Sequence, residues 1–241
     1  MTESILSLTD LYADIDQYHI LHGVNLEVPR GELAVLLGRN GAGKSTTLRT
    51  IMGLTKTTRG KVLFNGEDIT QANTSKIARR GIAFVPENMG IFGQLTVREN
   101  MTLASVSGPI DGDRLEWLFA LFPPLERFWL SSAGTLSGGQ KQMLAIARAM
   151  IEPRELLLID EPTKGLAPAI IDDLARAFEE LKAQQVSILL VEQNFNFSRR
   201  LGQTVSVMND GMVVHSGSMA ELAADDALQQ EYLGLGLGTH Q

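Results

Sequence analysis

The chain has 241 residues, 44% of them hydrophobic, with 21 basic and 28 acidic side chains for a net charge of −7. That length suits one α/β domain, or a core carrying a subdomain, with enough apolar residues for a real interior. The acidic balance speaks against nucleic-acid binding, which needs clustered Lys and Arg, and the absence of cysteine excludes disulfides and thiolate metal sites.

In chain order, Met1-Thr2-Glu3-Ser4 has neither a basic nor an apolar leader, so no signal peptide is expected. No apolar run approaches the ~20 residues a membrane span requires. The expectation is a soluble, cytoplasmic chain whose membrane role, if it has one, comes through a partner. Residues 4–28 read as strands, with Ile5, Leu6, Leu8 and Leu11 followed by Ile20, Leu21, Val24, Leu26 and Val28. Leu33-Ala34-Val35-Leu36-Leu37 is a further strand. It runs into Gly38-Arg39-Asn40-Gly41-Ala42-Gly43-Lys44-Ser45-Thr46 and then into Thr47–Met52, which has helical spacing.

Strand, glycine-rich loop and helix carry the spacing G-x-x-x-x-G-K-[ST]. Glycines let the backbone curl so that successive N–H groups point inward, and the helix start adds its positive dipole end. Such a cradle suits a polyphosphate: Lys44 would reach the β- and γ-phosphates, and Ser45 would set its hydroxyl on Mg²⁺. A bland turn that happens to precede a lysine is the alternative, and the flanking strand and helix disfavour it. A bound nucleoside triphosphate is therefore expected.

Further on, Gly60–Gly66 reads as a strand closed by an Asn-Gly turn, a hairpin signal. With the first strands it suggests an antiparallel sheet beside the phosphate-binding core. Ile82–Val85, Leu156–Ile159, Ile188–Val191 and Val205–Met208 are continuous rather than alternating apolar runs, as in parallel strands covered on both faces. Between Pro86 and Leu156, residues 96–106, 111–121 and 139–151 read as helical, with a break at Pro123-Pro124. Ile171, Leu174, Phe178 and Leu181 recur at helical spacing and predict a packed helix, not a special site. The glycines of Gly234–Gly238 have no strand before them and no helix after, so the tail 234–241 reads as a flexible end.

Two more stretches carry chemistry. Leu156–Ile159 leads into Asp160-Glu161, a buried strand ending in two carboxylates. Asp160 stands where a Mg²⁺-associated carboxylate is needed, and Glu161 is placed to polarise a water in line with the γ-phosphate. Leu136-Ser137-Gly138-Gly139-Gln140 opens a helix with Met143, Leu144, Ile146, Ala147 and Met150 on its apolar face. Its glycine-opened start could be a second anion site or an ordinary structural cap.

With these motifs the chain resembles the ATP-binding subunits of ABC (ATP-binding cassette) transporters, whose signature is L-S-G-G-Q. The resemblance runs from about residue 4 to residue 233. It implies an α/β fold with a RecA-like P-loop NTPase core, an N-terminal antiparallel β-subdomain and a helical subdomain. The core would comprise about 1–86 and 155–233 and the helical subdomain about 87–154, within a single ABC ATPase domain. The resemblance also implies ATP and Mg²⁺ as cofactors and a head-to-tail pair, homo- or heterodimeric. In that pair Ser137, Gly138, Gly139 and Gln140 of one copy meet the γ-phosphate held by Lys44 of the other. Transmembrane permease subunits would be partners, with a solute-binding protein indirectly, and the chain would sit on the cytoplasmic face of the membrane.

Within the family the chain is similar to LivF-type ATPases of branched-chain amino acid uptake. The similarity lies in Asn40–Lys44, Phe84–Glu87, Gln142–Ile146, Lys164–Pro168 and Leu190–Asn194. Glu87 stands where most cassettes carry a Gln that senses Mg²⁺ and the transmembrane interface. Gln193 stands where most carry a His that contacts the γ-phosphate. The implied roles are Mg²⁺ on Ser45, Asp160 and Glu87, catalysis by Glu161 and Gln193, and phosphate binding by Gly38 through Thr46. The chain also departs from its subfamily. The position of the adenine-stacking aromatic, counted back from Leu21-His22-Gly23-Val24, is Ile15, followed by Asp16, with Tyr12 and Tyr18 nearby. Asn88–Gly93 lacks the basic residues and proline of relatives, and Thr163-Lys164 replaces Ser-Leu. Other readings are a urea or short-chain amide importer, or a soluble cassette acting on ribosomes or DNA. A GTPase-type switch would need an Asn-Lys-x-Asp stretch that is missing.

Overall fold

A computed structural model describes residues 3–234. The chain opens with β1 (Ser4–Ile15) and β2 (Tyr18–Pro29), then β3 (Leu33–Gly38) and α1 (Lys44–Ile51). β4 (Thr57–Phe64), β5 (Glu67–Asp68), α2 (Thr74–Arg79) and β6 (Ile82–Val85) follow. A helical run comes next: α3 (Val97–Ala104), α4 (Gly112–Leu121), α5 (Pro123–Arg127) and α6 (Gly138–Met150). The second half alternates β7 (Leu156–Asp160), α7 (Pro168–Ala183), β8 (Ser187–Glu192), α8 (Phe195–Leu201) and β9 (Thr204–Asn209). It ends with β10 (Met212–Ser218), α9 (Met219–Ala224), α10 (Asp226–Leu228) and a π-helical turn over Gln229–Leu233.

Two sheets form. One is antiparallel, in the order β2-β1-β4-β5, and the other runs β10-β9-β3-β8-β7-β6. Every pairing in the second sheet is parallel except that of β9 with the edge strand β10. The continuous apolar runs explain the parallel part, because alternate side chains enter two different cores. Leu157 and Ile159 of β7, with Val35 and Leu190, pack on α6 and α7. Leu156 and Leu158, with Leu36 and Leu189, pack on the antiparallel sheet and α1. Burial on both faces leaves no position where a polar residue is free of cost, so the pattern does not alternate.

The Asn-Gly turn is as expected: Asn65 and Gly66 have φ of 51° and 76°, the paired positive values of a tight hairpin joining β4 to β5. The break at Pro123-Pro124 is present, and there the prolines also start a new helix. Pro123 is the first residue of α5, where its missing N–H is harmless. α3 starts with a reciprocal Thr96–Glu99 capping box. Behind it the fully buried Asn100 accepts from Phe92 N–H at 2.9 Å and donates to the Phe92 and Thr96 carbonyls at 3.0 Å. The reading of the tail as a flexible end concerns residues that, apart from Gly234, lie outside those described.

Candidate functional site

The carboxyl ends of β3, β8 and β7 stand side by side, in a register that sets Leu37 opposite Glu192 and Asp160 opposite Val191. Ligands of open parallel sheets collect at this edge, where the loops leaving neighbouring strands diverge. The loop from Gly38 to Gly43 leaves β3 and feeds α1. Gly43 has φ 104°, and a Cβ there would lie 3.0 Å from Met208 Cε and 3.1 Å from Leu21 Cδ2. Only glycine fits both the angle and the apolar floor. α1 has no side-chain cap, so the N–H groups of its first turn lack the usual side-chain acceptor.

Lys44 is 4% exposed. Its Nζ donates to the carbonyls of Gly38 (2.9 Å) and Arg39 (3.1 Å) and lies 3.1 Å from Glu161 Oε1. Ser45 Oγ donates to Asp160 Oδ1 at 3.0 Å. Glu161 takes φ 45°, unusual for a residue with a side chain, while its N–H donates to the Val191 carbonyl at 2.9 Å. Gln193 Nε2 donates to Glu161 Oε1 at 2.7 Å and to Asn40 Oδ1 at 2.6 Å. Lys164 Nζ lies 2.5 Å from Glu87 Oε1 and 3.7 Å from Glu161 Oε2. Asn40, Lys44, Ser45, Asp160, Glu161 and Gln193 thus meet, with Glu87 joined through Lys164. Of the remaining loop positions, Ala42 is buried and Thr46 gives its carbonyl to Thr50 Oγ1.

The two adjacent carboxylates are driven apart electrostatically. Burial pushes Asp160 up to about 6, against the Ser45 hydrogen bond and with the help of the Glu161 and Glu87 charges. Burial acts to raise Glu161 as well, but hydrogen bonds from Gln193 and Lys44 and the charges of Lys44 and Lys164 overcome it and hold the group below the ordinary glutamate value. One carboxylate therefore stays ionised next to one that binds a proton readily.

Sequence reasoning missed the role of Glu192. Its buried carboxylate accepts from Thr163 N–H (3.1 Å) and Oγ1 (2.7 Å) and from the N–H groups of Gln193 and Asn194 (3.0 Å each). Burial raises its pKa against those bonds. The side chain locks the turn after β7 to the end of β8. The available signal was a carboxylate closing the apolar run Ile188–Val191, where burial demands partners.

Ser137–Gln140 lies elsewhere. Ser137 Oγ accepts from Gln140 N–H at 3.3 Å, and Gln140 Oε1 accepts from Ser137 N–H at 2.9 Å, a closed capping box at the start of α6. A Cβ on Gly139 would run into the Ile170 side chain, so only glycine lets α6 start this close to α7. Among the described residues no hydrogen bond or ion pair joins this stretch to the Lys44 cluster. At the β1–β2 hairpin, Ile15 pairs with Tyr18, both exposed, and Asp16 adopts φ 55°, in the left-handed region. Tyr12 is engaged differently, under the Arg59 guanidinium at 5.2 Å.

No group of three or more His, Cys, Asp or Glu able to hold a metal occurs among the described residues. A nucleotide-borne Mg²⁺ needs no such group, because phosphates and water supply most of its oxygens. Ser45 and Asp160, a hydroxyl and a carboxylate already in contact, fit that donor set. Among the described residues no helix is long and apolar enough to cross a membrane.

Comparison with known proteins gives the family and the fold. Residues 21–164 match the ABC transporter family model. The chain is 39% identical over 216 residues to the high-affinity branched-chain amino acid transport ATP-binding protein BraG of Pseudomonas aeruginosa, covering 89% of this chain and 93% of that one. It is 33% identical to the probable branched-chain amino acid transport ATP-binding protein LivF of Archaeoglobus fulgidus, covering 96% and 99%. An ATP-binding cassette of an ABC transporter in its ADP conformation superposes with a TM-score of 0.82 at 25% identity, covering 97% and 100%. A dimeric cassette in a post-hydrolysis state with ADP and Pi superposes with a TM-score of 0.78 at 25% identity, covering 89% and 98%. This chain belongs to the ABC transporter family, as an ATP-binding subunit whose hydrolysis of ATP drives transport.

Proposed function

We propose that the chain powers import of branched-chain or related amino acids through a membrane permease, working as a head-to-tail pair. The observation that carries the catalytic part is the Glu161 carboxylate, 3.1 Å from Lys44 and 2.7 Å from Gln193 at the mouth of the phosphate loop. On this reading Gly38 through Thr46 cradle the phosphates, and the Lys44 ammonium exchanges Glu161 and two carbonyls for phosphate oxygens. Ser45 and Asp160 hold Mg²⁺, with Glu87 reaching it directly or through water. The ion would neutralise phosphate charge as the bond to the γ-phosphate breaks. Glu161, released by Lys44, accepts a hydrogen bond from the attacking water and orients it. Gln193 keeps one amide hydrogen on Glu161 and can turn the other to the γ-phosphate. Ser137 through Gln140 of the second copy close over that phosphate, and the helices between about residues 87 and 154 move as the subdomain that carries them.

The solute follows from likeness alone: the curated relatives above are named for branched-chain amino acid transport, and they match almost the full chain. Light scattering of Glu161→Gln tests the pair. The mass should double on adding ATP without Mg²⁺ and return to one chain when Ser137→Arg is added. A nucleotide-bound variant that stays at one chain mass alone and with its permease would overturn the shared site. Uptake of labelled leucine into vesicles holding the complete transporter tests the solute.

A further inference from the structure

We propose that Lys164 is a positioning residue for Glu161: its ammonium bridges Glu87 and Glu161 and ties the segment leaving β6 to the carboxylate at the phosphate loop. The inference deepens the reading above and rests on Glu161 acting at the γ-phosphate.

Three observations carry it. First, the bridge is tertiary: Glu87 and Lys164 are 77 positions apart, yet their charged atoms are 2.5 Å apart. Second, the Lys164 backbone is anchored. Its N–H donates to the Glu161 carbonyl at 3.2 Å, and the preceding Thr163 is bound twice by buried Glu192. The ammonium is thus delivered from a fixed base. Third, the two oxygens of Glu161 are divided between partners. Oε1 takes Lys44 and Gln193, and Oε2 faces Lys164 at 3.7 Å.

A half-exposed ion pair usually contributes little, and that is the competing explanation of Glu87–Lys164. It does not account for the second carboxylate, which is 7% exposed and, among the described residues, pairs with two cations, Lys44 and Lys164. Once phosphates draw Lys44 away, Lys164 is the cation left on Glu161. Without it, Glu87, Asp160 and Glu161 would face one another across the site with no fixed cation of the protein between them. Glu87 and Lys164 together also restore the charge balance that a neutral pair at these positions would have.

The test uses the full chain and compares wild type, Glu161→Gln, Lys164→Leu and Lys164→Arg in ATP turnover, with melting temperatures as a check on folding. Lys164→Leu should lower kcat about fivefold with the KM for MgATP within about twofold, and Lys164→Arg should restore most of kcat. A zero-length carbodiimide reaction gives a readout independent of turnover. It should join Glu87 to Lys164 as an amide in the nucleotide-free wild type, detected as a linked peptide by mass spectrometry. A Lys164→Leu enzyme with wild-type kcat, an Arg variant as slow as the Leu variant, or the absence of the 87–164 amide would overturn the inference. If Glu161→Gln hydrolyses ATP like wild type, the reading of Glu161 fails as well; if it is inactive while Lys164→Leu is unaffected, only the bridge fails.

Discussion

The phosphate-loop edge and the start of α6 are both glycine-bearing helix starts, and they treat their polar groups in opposite ways. At the edge, Lys44, Glu161, Gln193 and Asn40 are linked to one another across three separate segments of chain. At α6, Ser137 and Gln140 are satisfied within a single turn. In the first arrangement a phosphate oxygen could take the place of Glu161 as the acceptor on Lys44. The second is locally complete, as any well-capped helix is, and nothing in its own chain calls for a ligand. An identical geometric device therefore means a site in one place and a cap in the other unless a second molecule is present.

The sharpest way to break that contrast is at Glu161. Glu161→Gln keeps the shape and an acceptor oxygen for the Gln193 amide but removes the charge proposed to orient water, so hydrolysis should fall by about a hundredfold or more while ATP still binds. A phosphate-release assay beside a binding titration separates the two, and rapid hydrolysis by the variant would remove Glu161 from its role.

The next effect concerns what an ionised Asp160 costs the empty protein. Its folded pKa, about 6, lies above the ordinary aspartate value, so protons favour the folded state. The stability it contributes is present at low pH, falls as pH rises from about 4 through 6, and changes no further above that. Asp160→Asn should accordingly raise the melting temperature of the nucleotide-free protein by about 2–5 °C at pH 7.5, and the gain should shrink below pH 6. With MgATP the order should reverse, because wild type gains more from the ligand. An Asn variant no more stable than wild type at pH 7.5 would mean that Asp160 is better compensated than its burial implies.

A smaller change is expected at α6. Ser137→Ala removes one acceptor from a box of two hydrogen bonds and should cost about 1 kcal/mol of stability, read from denaturant unfolding. Its effect on ATPase rate should depend on protein concentration if α6 serves a neighbour's phosphate. A rate loss independent of concentration, with no added loss of stability, would place Ser137 in its own chain's site.

Most of the fold could be read from local pattern. Leu156–Ile159 and Ile188–Val191 showed two-sided burial by their lack of alternation, and Asn65-Gly66 carried the turn chemistry of the hairpin. Capping at Ser137 was likewise visible. Other features were hidden for physical reasons. β10, Met212–Ser218, ends in His-Ser-Gly-Ser and sits at a sheet edge, half-exposed, so its composition had little burial to reflect. The Glu87–Lys164 contact joins the turns after two neighbouring strands, β6 and β7, and no local period encodes it. Glu192 closes an apolar run, but the Thr163 that partners it lies 29 positions away, and no local pattern names it. Motif spacing found the phosphate loop with Lys44 and Ser45, and the residues Asp160 and Glu161; it could not find that Lys164 reaches Glu161.

Gln193 gives the finest discrimination, because the expected effect is the absence of one. The side chain bridges Asn40 and Glu161 with its two amide hydrogens, whereas neutral imidazole has one N–H and could donate to only one of them; an amide, moreover, does not titrate near neutrality. The kcat profile of wild type should then show no step near pH 6–7 that depends on residue 193. Gln193→Leu should lower the rate by a similar factor at every pH, whereas Gln193→His should introduce a step where its imidazole protonates. Protonation would set an imidazolium on the Glu161 carboxylate, tying up the oxygen proposed to take the water's hydrogen bond, so the His variant should lose activity on the acid side. A wild-type step in this range, abolished in Gln193→Leu, would show that the amide controls the protonation of a neighbour, and Asp160, with its raised pKa, would be the group to examine.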